Sequence, residues 1–123
     1  EGISSFTLQG KEGIEKIKSA LESLRENKTV TFGVYEAITV RDYLTGERYS
    51  VASGQKEELT LPESDVLYYE LDEGCWFAIR PSGTEPKIKI YYGVKESTMD
   101  KAKEKLKHLQ ENVLSVIEKL LFD

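Results

Sequence analysis

Three short, closely spaced segments with strand-like composition constrain the fold more than any other feature. Residues 66–71, 75–80 and 87–94 are rich in aromatic and β-branched side chains, which favour strands. Parallel neighbours need a crossover connection of about a dozen residues or more, and these segments follow one another too closely for that. The three segments are therefore expected to pair antiparallel in one sheet.

Amphipathic helices are predicted before and after these strands in the sequence. In residues 11–26 apolar side chains recur at helical spacing, and charged residues fill the opposite face. A second helix is predicted to begin near Ser97 and Thr98. Its apolar residues step by three and four to the end of the chain: Ala102, Leu106, Leu109, Val113, Val116 and Leu120. A coiled coil can use such a seam, but so short a run favours packing on a sheet.

The remaining residues complete the predicted domain. Residues 29–43 favour a further strand, 44–47 a turn, 49–51 a short strand and 55–65 a polar loop. The expected fold class is α+β, an antiparallel sheet of about four strands with two helices packed on one face. At 123 residues the chain has the size of a single domain, 1–123. Residues 1–9 are interpreted as a hinge or linker.

Charge is distributed unevenly along the chain. The net charge is −5, yet the segment from Arg80 to Lys107 contains eight basic and four acidic residues, a local +4 that leaves −9 for the remainder. Dedicated nucleic-acid binders concentrate positive charge against phosphates, so a nucleic-acid partner is not expected. One basic segment on an acidic body indicates a small anion held at one place.

The expected location is cytoplasmic, without a membrane partner. No apolar run reaches the roughly 18 residues of a membrane span, and the N-terminal residues lack the basic start and apolar middle of a secretory signal. The only cysteine, Cys75, lies beside Trp76 in an apolar run. It is expected to be a buried, reduced packing residue.

A stiff loop rich in hydrogen-bond donors joins the last two strand segments. Its sequence, RPSGTEPK at residues 80–87, contains two prolines, a glycine, two hydroxyls and two cations. Strand alternation is expected to bring Arg80 and Lys89 near each other at the end of the hairpin. Ser82 and Thr84 offer hydroxyl donors, and amides around Gly83 can turn toward a common point. Together these groups suit a phosphate monoester dianion, although the same composition is also ordinary turn chemistry with solvated cations.

The run RPSGTEP, followed by KIKIYY, resembles the signature of the C-terminal domain of the α-D-phosphohexomutases, the family of phosphoglucomutase and phosphomannomutase. The runs DYLTG (42–46) and SDVLYYELDEGCWFAIRPSGTEPKIKIYYGV (64–94) are similar to the bacterial phosphoglucomutase branch. The resemblance covers most of the chain from about Val34 onward, and the first helix fits by order only.

This resemblance implies a fold, a reaction and a set of site residues. It implies the fourth domain of a four-domain enzyme, with a TATA-binding-protein-like antiparallel sheet and helices. In such enzymes a phosphoserine of the first domain phosphorylates a hexose phosphate, and the bisphosphate reorients and returns its other phosphate, which interconverts hexose 1-phosphate and 6-phosphate. The fourth domain grips the phosphate that is not reacting. By the motif, the substrate phosphate-binding residues here are Arg80, Ser82, Gly83 and Thr84, with Lys89 as an assisting strand cation.

Other motifs of the family do not occur in this sequence. There is no Ser-His-Asn-Pro run, no Asp-x-Asp-x-Asp run and no Gly-Glu-x-Ser-Gly loop. No catalytic or metal-binding residue is therefore assigned, and the isolated chain is expected to be inactive. Magnesium and a hexose 1,6-bisphosphate activator are implied for the full-length enzyme, and the implied partners are a hexose phosphate and the enzyme's remaining domains. The only histidine, His108, is expected to be a surface or boundary residue.

Two other functions remain open from the sequence. One is an independent anion-binding module that associates with a partner protein. The other is a nucleic-acid binder of similar fold, which the charge of the chain disfavours.

Overall fold

Eight strands and two α-helices form within residues 2–8 and 10–122, the part of the chain that the computed structural model describes. The elements follow one another as β1 (Gly2–Thr7), α1 (Gly10–Glu26), β2 (Thr31–Phe32), β3 (Tyr35–Asp42), β4 (Glu47–Ser50), β5 (Lys56–Glu58), β6 (Leu67–Leu71), β7 (Trp76–Pro81), β8 (Lys87–Gly93) and α2 (Met99–Phe122). A short 3₁₀ turn, Asp72–Gly74, joins β6 to β7.

All strand pairs are antiparallel, in the order β1-β8-β7-β6-β3-β4-β5, with β2 paired to β3. The α+β class and the antiparallel pairing of the three closely spaced segments are confirmed. The expected count of about four strands was too low, because β1, β2 and β5 were not predicted. The polar segment 55–65, expected to be a loop, contains β5.

Both helices cover the same face of this sheet. Strand alternation turns Phe77 and Ile79 of β7, and Ile88, Ile90 and Tyr92 of β8, into a core from which solvent is excluded. The helices add two buried rows to this core: Ile17, Ala20, Leu21 and Leu24 from α1, and Leu109, Val113, Ile117 and Leu121 from α2. The opposite side of the sheet, called the outer face below, carries the alternate residues.

The buried seam of α2 differs in phase from the predicted one. Val116 and Leu120 were expected to lie on it, but they are only half-buried, and Ile117 and Leu121 take the buried positions. The helix begins after Thr98, whose Oγ1 accepts a hydrogen bond from the Lys101 amide at 3.2 Å. A basic residue therefore stands at the third helical position, so this start has no capping box.

Residues 29–43 do not form the single strand that their composition indicates. A turn at Gly33 and Val34 folds β2 back on β3, and Gly33 has a φ of +64°. The Val34 amide donates to Asn112 Oδ1 on α2 at 2.9 Å. Because β-branched and aromatic residues lie on both sides of the turn, composition alone does not predict it.

The N-terminal residues are a strand of the sheet rather than a linker over most of their length. β1 pairs with β8 along six residues, from Gly2 opposite Tyr92 to Thr7 opposite Lys87. Residues 1 and 9 of the predicted hinge lie outside the described ranges. Neither of the two helices is apolar enough over sufficient length to cross a membrane, within the residues described.

Replacing Ile79 by alanine is expected to lower the free energy of unfolding by about 2–5 kcal/mol. Ile79 is fully buried and lies opposite Ile90 across the β7–β8 pair, so the change leaves a cavity beneath the hairpin. The matched control is Ile38→Ala, at a strand residue that is 53% exposed, which is expected to change stability by less than about 0.5 kcal/mol. Urea unfolding of both variants measures the difference, and equal losses would contradict this assignment of the core.

Candidate anion-binding site

Arg80 and Lys89 form a pair of cations on the outer face of the sheet. They are register partners across β7 and β8, and both residues are exposed. Like charges directly opposite each other in a sheet are destabilising. Among the residues described, neither cation has a carboxylate within ion-pair distance, although seven other ion pairs form in the chain. The predicted proximity of Arg80 to Lys89 agrees with their register, and no carboxylate within the described part of the chain serves the pair as a counter-ion.

The cation pair borders an open depression of about 290 Å³ at the end of the hairpin. Its lining residues are Arg80, Pro81, Ser82, Glu85, Lys87, Lys89 and Tyr91. The one acidic residue among them, Glu85, lies with its Oε2 3.5 Å from Lys87 Nζ. Because both of those side chains are about half exposed, the pair is weak, but it pairs the carboxylate with a cation other than Arg80 or Lys89. The lining keeps a positive balance.

The backbone of the loop uses some of its donors internally and leaves others free. The Ser82 amide donates to the Lys87 carbonyl at 2.9 Å, and the Lys87 amide donates to the Glu85 carbonyl at 2.7 Å. The Glu85 amide donates to Ser82 Oγ at 3.4 Å. The amides of Gly83 and Thr84 have no acceptor within the described part of the chain. Among the residues described, Gly83 and Thr84 are therefore the two loop positions whose amides are left for the predicted anion.

The loop is anchored to the body of the domain on its C-terminal side. The Leu8 amide donates to the Pro86 carbonyl at 2.8 Å. On α1, Gly13 approaches so closely that a Cβ there would lie 2.8 Å from Leu8 Cβ and 3.0 Å from Pro86 Cβ. Only a glycine fits such an approach without displacement. The end of the hairpin is consequently tied to both β1 and α1.

The five residues predicted to bind phosphate do not all converge on one surface. Arg80, Ser82 and Lys89 line the depression. Gly83 instead borders a separate cavity of about 180 Å³ toward α1, and Thr84 is an exposed residue of the loop tip.

Two residues outside the predicted phosphate-binding set lie at this site, and a third lies beside it. Lys87 and Tyr91 line the depression, and Ser5 of β1 lies opposite Lys89 on the other side of β8. Alternation along β8 predicts that Lys87, Lys89 and Tyr91 share one face, so the sequence already contains the signal for Lys87 and Tyr91. The position of Ser5 beside Lys89 could not have been predicted, because its strand, β1, was not predicted.

The other reactive side chains considered from the sequence, Cys75 and His108, do not line the depression. Burial raises the pKa of the Cys75 thiol, although Lys105 acts in the opposite direction, so this buried cysteine is not activated as a nucleophile. His108 is exposed, as expected, with Nδ1 2.9 Å from the hydroxyl of Tyr35. Within the described ranges, no three histidine, cysteine or acidic side chains form a cluster that would hold a metal ion.

Comparison with known proteins identifies relatives over most of the chain. Residues 12–114 match the family described as phosphoglucomutase/phosphomannomutase, C-terminal domain. A phosphoglucomutase of Staphylococcus saprophyticus is 34% identical over 94 residues, which cover 76% of this chain and 17% of that protein. A phosphoglucomutase of Staphylococcus aureus is 37% identical over 104 residues, covering 85% of this chain and 19% of that protein. The chain thus spans about a fifth of the length of these curated relatives.

Replacing Gly83 by alanine is expected to lower the free energy of unfolding by about 1–2 kcal/mol, because Gly83 has a φ of +85°. A Cβ at this position would meet no atom within 4 Å, so the loss comes from backbone strain alone. Gly83→Asn is the matched control and should lose less, since asparagine tolerates positive φ. Urea unfolding measures both variants, and an alanine variant as stable as the native chain would show that the loop does not need this conformation.

Proposed function

Because the chain belongs to the family of phosphoglucomutase/phosphomannomutase C-terminal domains, we propose that it binds the non-reacting phosphate of a hexose phosphate, as one domain of a longer phosphohexomutase. The observation that carries this proposal is the pairing of Arg80 with Lys89 on an exposed strand register, without a carboxylate partner in residues 2–8 and 10–122. A phosphate ester dianion supplies the charge that this pair lacks.

The two cations contribute in different ways. The guanidinium of Arg80 can meet two phosphate oxygens at once, whereas the ammonium of Lys89 acts as a point charge. A dianion between them replaces a repulsion by two attractions. Because neither cation has a carboxylate partner among the residues described, binding breaks no existing ion pair.

The loop offers neutral donors that are already held in place. Ser82 Oγ accepts a hydrogen bond from the Glu85 amide, which leaves its own O–H free to donate to a ligand. The amides of Gly83 and Thr84 are further donors for a ligand at the loop tip. Pro81, Pro86 and the bond from Leu8 to the Pro86 carbonyl restrict the free loop, so less conformational entropy is lost on binding.

In the longer enzyme this grip would act at a distance from the reacting phosphate. Binding energy from a remote part of the substrate orients the reacting centre and helps exclude water. A bisphosphate that must turn around needs the grip released and restored, so the domain is proposed to rotate on a hinge. Because β1 is an integral strand of the sheet, that hinge is proposed to lie before β1 and not within it.

The depression does not fit a magnesium ion. Mg²⁺ prefers carboxylate and water oxygens in octahedral geometry, whereas the lining is rich in cations and hydroxyl donors. We propose that magnesium and the phosphoserine belong to other domains, that the chain alone is inactive, and that a hexose 1,6-bisphosphate activator would place one of its phosphates in this same grip.

A second candidate is an independent anion-binding module. It is supported by the fact that the cation pair and the anchored loop both belong to this one chain. The affinity of the isolated chain distinguishes the two. A module has to bind its anion tightly alone, whereas a domain that shares its ligand with others binds it weakly.

Replacing Arg80 by alanine is expected to weaken binding of a hexose 6-phosphate by roughly ten- to hundredfold, because charge-assisted hydrogen bonds are lost. The binding is measured on the isolated chain by NMR titration, which detects millimolar dissociation constants. Arg80→Lys should recover part of the affinity, since it keeps the charge but not the planar fork.

Lys103→Ala is the charge-matched control, because Lys103 is an exposed residue of α2 and does not line the depression. The affinity of this variant for the hexose 6-phosphate should equal that of the native chain. Arg80→Ala binding as well as the native chain would refute the proposed site. Micromolar binding by the native chain would favour the independent module. In the longer enzyme, Arg80→Ala is expected to raise KM and lower kcat.

A further inference from the structure

The outer face of the sheet carries two parallel rows of different chemistry beside each other. The first row crosses three strands as Ser5, Lys89 and Arg80, and it contains the cation pair. The second row lies two residues further along each strand and consists of Ile3, Tyr91 and Ala78. The rows are separated by roughly 7 Å, the rise of two strand residues. A polar, cationic row thus borders an apolar row.

Tyr91 is the residue that joins the two rows. It is half-buried and lines the same depression as Arg80 and Lys89. Its neighbour on one side, Ala78, has only a methyl group, and its neighbour on the other side, Ile3, is 62% exposed. Both register neighbours of Tyr91 are therefore apolar.

The ring of Tyr91 is not engaged by another ring or cation among the residues described. The next aromatic residue along the row, Tyr68, contrasts with it. Tyr68 stacks on Trp76 with ring centroids 5.3 Å apart, and Arg41 lies over its ring at 4.9 Å. The ring of Tyr68 is thus covered by Trp76 and Arg41, whereas the ring of Tyr91 has no such partner among the residues described and lies beside the proposed phosphate site.

We propose that Tyr91, with Ala78 and Ile3, forms an apolar platform that contacts the carbon ring of the phosphate ester whose phosphate is held by Arg80 and Lys89. This inference rests on the proposed function and adds the part of the site that reads the ester's organic group. Pyranose rings present apolar C–H faces, and an aromatic ring offers such a face a large contact area with little entropy cost. Tyr91 is then a specificity-determining residue that favours sugar phosphates over smaller phosphate esters.

The test compares two ligands that carry the same dianion. Glucose 6-phosphate has a pyranose ring, and methyl phosphate does not. NMR titration of the chain gives the ratio of their dissociation constants, which is expected to favour the sugar phosphate by about two- to tenfold. In Tyr91→Ala the ratio should fall to about one, while the affinity for methyl phosphate stays unchanged. Tyr91→Phe should keep the ratio, because the ring remains.

Tyr43→Ala serves as the matched control, since Tyr43 is also half-buried but lies outside the depression. It should keep the native ratio. If Tyr91→Ala fails to fold, Tyr91→Leu retains much of the apolar volume without the flat ring, and its ratio should also fall.

The outcomes separate this inference from the proposed function. Methyl phosphate binding that depends on Arg80, with no preference for the sugar phosphate in the native chain, overturns the platform and leaves the phosphate site standing. A preference that persists in Tyr91→Ala or Tyr91→Leu, or is lost in Tyr91→Phe, also overturns the platform. Binding of neither ligand at tens of millimolar overturns both.

Discussion

Antiparallel pairing of β7 with β8 brings Arg80 opposite Lys89 and, in the same register, Ile79 opposite Ile90. The two pairs face opposite sides of the sheet, so burying the isoleucines under the helices obliges the cations to stand on the outer face. A slip of one residue would exchange the two faces and bury the charges. The hydrophobic core therefore specifies the position of the cation pair.

Much of this arrangement was predictable because strand alternation is a short-range rule. The three consecutive strands, both helices and the closeness of Arg80 to Lys89 all follow from residues that are near in sequence. The role of residues 2–7 was not predictable in the same way. β1 is polar at Ser4 and Ser5, and it becomes a strand because the edge of β8 offers it hydrogen-bond partners. The position of Ser5 opposite Lys89 was not predicted for this reason.

The loop tip and helix α2 show two further limits. Which amides of RPSGTEPK remain free depends on the Ser82 hydroxyl and on carbonyls within the loop, and composition does not contain that information. The buried phase of α2 is set by where the helix axis meets the sheet. Val116 and Ile117 are both apolar, so the sequence pattern alone does not decide between them. Tertiary contact makes the choice.

Together these features describe a domain that would hold a phosphate ester from one side. We propose that the cation pair supplies charge, that the anchored loop supplies donors, and that Tyr91, which lines the same depression, supplies an apolar contact. In this proposal all of these groups act by binding the ester, and so position a substrate.

Crystals of the chain grown with glucose 6-phosphate would show where the phosphate binds. We expect electron density for the phosphate between the Arg80 guanidinium and the Lys89 ammonium, with oxygens within hydrogen-bond distance of both. The proposed site would be wrong if the ester occupied another surface. It would also be wrong if both cations formed ion pairs with carboxylates of the chain and the end of the hairpin were empty.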